Sequence, residues 1–264
     1  MRYSISLLLI CWAAIPIAAQ SPSATLAPTG TLRAIFLGSN PVQGRMDAKT
    51  GPATGVVPDL VKELASRLHV PYKIIPVDDA ASVIDGLKNH TTDIGFLAYD
   101  ESRAREVDYG AAFEVMFNSY LVRADSPIKR SGDVDRAGIK VAAVKGQTQE
   151  LFVSSHLKNA TVRVFPTTPP QAELEKLLLR GEVDAFAINR QRSLDAEAAS
   201  SSKLRALPDS FLEVEQSFVV EKGNRAKLEA IEKFVGEVRA SGFIKASIER
   251  AKLSGVDVAS GKKR

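Results

Sequence analysis

Cysteine is almost absent from this chain. Its 264 residues contain one, Cys11, next to the single tryptophan, Trp12, and both fall within the apolar stretch that opens the sequence. Beyond residue 19 no cysteine remains, so no disulfide can form there and a packed core must hold the fold together. Histidine is also scarce, with three residues at positions 69, 90 and 156. The sequence contains no metal-ligand cluster, no GxGxxG, no Walker loop and no Ser-His-Asp order at a telling spacing. No cofactor is therefore expected. Past the opening stretch, no apolar run is long enough to cross a bilayer. Basic residues are interspersed with acidic ones, and no basic patch is interleaved with aromatics, so nucleic acid is not expected as a partner.

The opening stretch reads as a secretory leader. Arg2 supplies the positive start, Ile5 to Ala19 is almost wholly apolar, and the small residues Ala18 and Ala19 close it. Residues 1–19 are expected to be cleaved, with the bulky Ile17 an unusual residue three positions before the cut. Cys11 raises lipidation as an alternative, but Ile10 before it is not small and the apolar run continues past it. Cleavage removes Arg2, so 35 basic residues become 34 against 31 acidic ones. About 245 residues remain, enough for one large domain or two smaller ones.

Strand and helix alternate along the mature chain. TLRAIFLG (31–38) predicts a buried strand stopped by Gly38, and a loop rich in Gly and Pro comes after it. VVPDLVKELASRLHV places Leu60, Val61, Leu64, Ala65 and Leu68 on one helical face, with Pro58 in the first turn. PYKIIPV is a strand, ASVIDGLKNH a short helix and DIGFLAY a third strand. This alternation predicts a parallel sheet covered on both faces. The second half repeats the scheme: strand IKVAAVKG, helix TQELFVSSHL, strand VRVFP, helix QAELEKLLLRG ending near Gly181, strand VDAFAIN. LKNHTTDIGFLAY and LLRGEVDAFAIN echo each other, each with a helical Leu and, six residues later, an Asp that opens an apolar strand. Two similar α/β lobes explain the echo. FVVEKGN (218–224) predicts a further strand, and Asn224 caps a long helix carrying Leu228, Ile231, Val235 and Val238. GFIKASIERAKL closes the fold, and VDVASGKKR is expected to fray.

GVVPDLVKELASRL, LKNHTTDIGFLAYDESRAREVDY, IKVAAVKGQTQELF and LLLRGEVDAFAINR, in this order and spacing, resemble the periplasmic solute-binding proteins of ABC importers. The resemblance is to the polar amino-acid-binding family, bacterial extracellular solute-binding protein family 3, and covers roughly residues 30–252. It implies an α/β, two-lobed type II clamp, each lobe a sheet flanked by helices, with a two-stranded hinge. Residues 20–117 and 213–264 are expected to form lobe 1 and residues 118–212 lobe 2. The implied function is exported, non-enzymatic capture of a small polar solute bearing a carboxylate. The implied partners are that solute and an inner-membrane ABC permease, with the mature chain a periplasmic monomer that does not itself insert into the membrane.

The resemblance also assigns residues. Arg103 corresponds to the arginine that grips the ligand carboxylate with both arms of its guanidinium, a geometry lysine does not match. The alternative is an exposed ion pair with Glu106 or Asp100. Thr148, at a helix start, corresponds to a carboxylate-binding threonine, with Gln147 beside it; the alternative is that Thr148 only caps its helix. Tyr99 either stacks on the ligand or packs against its own helix. Three positions depart from the family pattern: Asn189 stands where an Asp pairs the ligand ammonium, Ala98 where a small hydroxyl residue is usual, and Gln43 where an aromatic wall is frequent. One cationic anchor kept and one anionic anchor lost favours an acidic or weakly cationic solute. Arg45 and Arg190 are candidates for a second acid group, the alternative being solvated loop charges. Two other readings remain open: a cyclic-acid dehydratase on the same scaffold, for which Glu114, Glu150 and Glu173 are available, and a free ligand-sensing module.

Overall fold

The computed structural model describes residues 21–38, 40–46, 51 and 53–261, so the expected leader at 1–19 and Cys11 lie outside the described residues. A short helix α1 (Pro22–Leu26) leads into strand β1 (Leu32–Leu37), helix α2 (Val56–Leu68) and strand β2 (Tyr72–Val77). Then come α3 (Ala80–Lys88), β3 (Ile94–Ala98) and the long β4 (Val107–Arg123). β5 (Lys140–Val144), α4 (Thr148–His156), β6 (Thr161–Phe165), α5 (Gln171–Leu179), β7 (Ala185–Asn189), α6 (Arg190–Ala199) and β8 (Leu204–Ala206) come next. The chain finishes with β9 (Leu212–Glu221), α7 (Arg225–Ala240), α8 (Phe243–Arg250) and β10 (Val256–Val258).

Local chemistry explains these boundaries. α2 buries Leu60, Val61, Leu64 and Ala65 on one face and ends where His69 turns left-handed. Asp79 caps α3 by accepting from the Ser82 N–H, and Asn224 caps α7 by accepting from Lys227. No helix among the described residues is long and apolar enough to cross a membrane.

The strands run in the order β2-β1-β3-β9-β4-β7-β5-β6. Parallel pairing is confined to the two ends, β1 with β2 and β3, and β5 with β6 and β7. The centre is antiparallel: β9 pairs with β3, and β4 pairs with both β9 and β7. Two apolar cores draw on residues before 117 and after 217, centred on Phe36, Phe96, Phe113 and Phe218 and on Leu87 and Leu97. Two others draw on residues 120–211, around Phe186 and Leu174 and around Tyr120 and Val141. The fold is thus two lobes, and β4 and β9 join them.

The repeat heard in the sequence has a physical basis. Asp93 Oδ2 accepts from the backbone N–H of Arg33 at 2.8 Å, and Asp184 Oδ2 accepts from that of Lys140 at 2.8 Å. Each aspartate locks the start of one parallel strand to the next in the same way, once per lobe. Asp93 also takes the Arg33 guanidinium at 2.7 Å.

Two expectations are corrected. The tail is not frayed at 256–258: β10 pairs antiparallel with β4, Val256 opposite Met116 and Val258 opposite Glu114, because Val256 has an apolar core to enter. The strand expected at 218–224 begins at Leu212, since the polar run Glu213 to Ser217 is the stretch that crosses between lobes and needs no continuous apolar face. Where the cores end, polar side chains satisfy one another. Asn118 donates to the Leu212 carbonyl at 3.0 Å and accepts from Gln149 at 2.5 Å.

Candidate functional site

Arg103 opens a short 3-10 turn directly after β3. Asp100 Oδ1 fixes that turn by accepting from the backbone N–H groups of Ser102 and Arg103. The Arg103 side chain does not point to solvent, as the residue is only 7 % exposed. Its Nη1 donates to the Ala98 carbonyl at 3.1 Å, and its Nη2 donates across to the Gly146 carbonyl of the other lobe at 2.7 Å. Glu106, one alternative partner, pairs with Lys88 instead. Among the described residues no carboxylate lies within ion-pair distance of the Arg103 guanidinium. Asp100 acts on the guanidinium only through space, and a buried cation hydrogen-bonded to carbonyls carries a desolvation cost that neutral acceptors offset in part.

Gly146, at φ 70°, turns the chain from β5 into α4. Gln147 is the N-cap of that helix and makes no side-chain cap bond, and Thr148 is its first residue. Thr148 therefore does not cap its own helix. The N–H groups of a first turn have no intrahelical acceptor, and the helix start carries positive partial charge.

Between the lobes lies a small cavity of about 30 Å³, walled by Asn40, Gln147, Gln149, Thr168, Asn189 and Arg192 together with apolar residues. That is space for one or two waters. Asn189 accepts from the Arg192 backbone N–H at 2.8 Å through Oδ1 and so caps α6, while its Nδ2 faces Asn40 Oδ1 across the gap at 3.4 Å. Arg192 Nη2 donates to the Pro169 carbonyl at 2.9 Å, and burial pulls its pKa down. A larger hollow of about 610 Å³ flanks the other side of the α4 start; it is lined by Tyr99, Asp100, Glu101, Thr148, Phe152 and Glu213, among others.

The structure brings Arg103, Gln147 and Asn189 to the junction of the lobes, with Ala98 present through its carbonyl. Thr148 and Tyr99 border the adjoining hollow, where Tyr99 packs edge-on against Tyr109 at 5.1 Å. Gln43 lies elsewhere, fully buried in the first lobe. Its Oε1 accepts from Leu37 N–H at 3.0 Å, and its Nε2 donates to the Phe96 carbonyl and to Gln216. Arg45 ion-pairs with Asp195 at 2.6 Å, and Arg190 donates to the Leu207 and Pro208 carbonyls, so neither lines the cavity. Asn40 and Arg192 were missed. Arg192 was legible as the third residue after Asn189, where a helix start turns one side chain back towards the strand end.

Solved structures that resemble this one include these three. A P235GK mutant of ArgBP from T. maritima is 23 % identical, with 88 % of this chain and 99 % of that chain covered and a TM-score of 0.72. A putative ABC-transporter binding component from Wolinella succinogenes, complexed with lysine, is 22 % identical, with 84 % and 95 % covered and a TM-score of 0.74. The ancestral amino acid-binding protein AncCDT-1, a precursor of cyclohexadienyl dehydratase, is 22 % identical, with 88 % and 99 % covered and a TM-score of 0.71. At these identities the likeness establishes the fold, the type II periplasmic binding protein clamp. No match to the sequence was found among curated proteins. Residues 32–251 match one family along nearly all of the described structure, and the chain belongs to it: the bacterial extracellular solute-binding proteins, family 3.

Proposed function

We propose that this chain is the exported solute-capturing subunit of an ABC importer, working in the periplasm as a non-enzymatic monomer without a cofactor. Lobe 1 comprises residues 20–117 and 213–264 and lobe 2 residues 118–212. A small solute bearing a carboxylate enters between them, and the loaded clamp delivers it to an inner-membrane permease. One observation carries this reading: the Arg103 guanidinium is buried at the junction and reaches carbonyls of both lobes, with no carboxylate paired to balance it among the described residues. A ligand carboxylate supplies that balance and takes a bidentate pair in place of the Gly146 carbonyl.

The first turn of α4 adds the N–H groups of a helix start and the Thr148 hydroxyl to the same anion, while Glu150 in that turn faces back and accepts from the Gly146 N–H at 3.1 Å. The cavity of about 30 Å³ is too small for an amino acid, so solute entry requires the lobes to part and binding draws them together around it. Asn189 is neutral and its Oδ1 is spent on capping α6, so among the described residues the wall of the small cavity offers no side-chain anion to an ammonium. This supports a carboxylate as the group that is read.

A thermal-shift screen of amino acids and organic acids tests the proposal. A ligand at about 100 times its Kd adds about 2.7 kcal/mol of stability. Arg103→Ala should abolish that shift and leave the unliganded protein folded. A ligand-induced shift that survives in Arg103→Ala, or turnover of the solute during incubation, overturns it.

A further inference from the structure

The junction of the lobes holds a second guanidinium, Arg192, that the carboxylate grip does not use. Among the described residues its one side-chain hydrogen bond goes to the Pro169 carbonyl. The acid nearest along its own helix, Asp195, is turned elsewhere: Oδ1 accepts from Gln191 at 2.9 Å and Oδ2 takes Arg45 at 2.6 Å. Among the described residues no carboxylate lies within ion-pair distance of Arg192, and Asp195 acts on it only at longer range. The cavity wall contains no Asp or Glu; its polar members are amides, one hydroxyl and this cation. The Asn189 amide, with its oxygen spent on capping α6, turns its N–H side to the gap. The first turn of α6 has no acid, and both Arg190 and Arg192 sit there, where the helix dipole favours an anion.

Charge balance then narrows the choice of solute. Arg192 lines the small cavity, Arg103 reaches Gly146 beside its wall residue Gln147, and among the described residues that wall offers no negative side chain. A zwitterionic amino acid brings no net charge to the two guanidinium groups, and a lysine- or arginine-like solute adds a third cation. A solute with two acid groups balances both. We propose that the pocket selects a dianion: one carboxylate sits on Arg103 and the α4 start, and the second acid group sits on Arg192. An amine on the solute is not required, because no side-chain anion in the inner wall waits for it. This inference rests on the solute-binding reading and narrows it.

The test uses the full mature chain and calorimetric titration with succinate, glutarate and L-glutamate against butyrate, L-glutamine and L-arginine. Wild type should bind the dianions about 10- to 100-fold more tightly than the others, the range expected when a charged group gains or loses its hydrogen-bonded partner. Arg192→Gln should erase most of that preference, with butyrate affinity falling far less, and its circular dichroism spectrum and unliganded melting temperature should match wild type. Arg103→Gln should lose all binding. If L-glutamine or L-arginine binds most tightly through Arg103, or if Arg192→Gln keeps the preference, the dianion proposal falls and solute capture stands. If L-glutamate exceeds glutarate by more than about tenfold, the statement about the amine falls. If binding proves indifferent to Arg103, or none of the six compounds binds, both readings fall.

Discussion

Gly255 and Gln191 meet backbone to backbone across the gap between the lobes. Gln191 Oε1 accepts from the N–H groups of Ser254 and Gly255 at 2.7 and 3.3 Å, and a Cβ at 255 would overlap the Gln191 nitrogen and stand 3.0 Å from its Cα. Gly255 is therefore required by space, and the obstacle is backbone that cannot swing aside. Gly255→Ala should obstruct closure and leave each lobe intact. Overpacking of this kind costs about 1–3 kcal/mol, so ligand affinity should fall about 10- to 100-fold, with little change in unliganded melting temperature. Titration calorimetry checks the affinity, and small-angle scattering should show a larger radius of gyration in the presence of ligand. Wild-type affinity in the variant would mean that the ligand-bound clamp does not bring these residues together.

The ion pair of Arg45 with Asp195 also spans the gap, but at its rim. Its side chains are 57 % and 41 % exposed, so water and salt screen it and it contributes at most about 1 kcal/mol. Arg45→Ala should weaken ligand binding by no more than about fivefold, and 1 M salt, with a Debye length of about 3 Å, should remove most of the difference. A larger loss that persists in salt would place Arg45 in contact with the solute.

The parts of this architecture that depend on local pattern were legible. The alternation of helix and strand, the Asn224 cap and the twin aspartates at 93 and 184 come from periodicity and hydrogen-bonding chemistry, and the structure places all of them as expected. The two crossing strands were read only in part. The polar run Glu213 to Ser217 has no continuous apolar face, and its regularity comes from pairing with β4, far earlier in the chain. The site divides in the same way. Arg103 stood out through its place after an Asp-led strand, yet its bond to Gly146 is a contact between lobes that no local pattern announces. Gln43 was aligned where the family often has an aromatic wall, and its buried amide bonds, to Leu37, Phe96 and Gln216, are contacts that no local pattern announces.

Gln43 should accordingly behave as a structural residue. Its amide satisfies the buried Leu37 N–H and joins Phe96 to Gln216 inside the first lobe. Gln43→Ala strands these groups and opens a cavity, at a combined cost of about 2–4 kcal/mol. Denaturant unfolding should report that loss. Ligand affinity of the folded fraction should change by less than about threefold. A stable variant with impaired binding would instead return Gln43 to the pocket.

Glu114 gives the chain a measurable pH dependence. It lies on β4 opposite Gln216 and Val258, is fully buried, and neither carboxyl oxygen has a hydrogen-bond partner among the described residues. Burial pushes its pKa well above the usual carboxylate range, so the folded protein keeps a proton there that the unfolded chain releases above about pH 4.3. Between that pH and the raised folded value the native state binds more protons than the unfolded state. Stability must therefore fall as pH rises, by up to about 1.4 kcal/mol per pH unit from this group. Glu114→Gln mimics the protonated acid and has nothing to release. The variant should match wild type near pH 4 and become progressively the more stable of the two as pH rises towards the raised folded value. Melting curves of both proteins in the same buffers isolate this term, because every other titrating group is common to them. Should wild type instead gain on the variant as pH rises, the carboxylate would have to be charged and paired inside the fold.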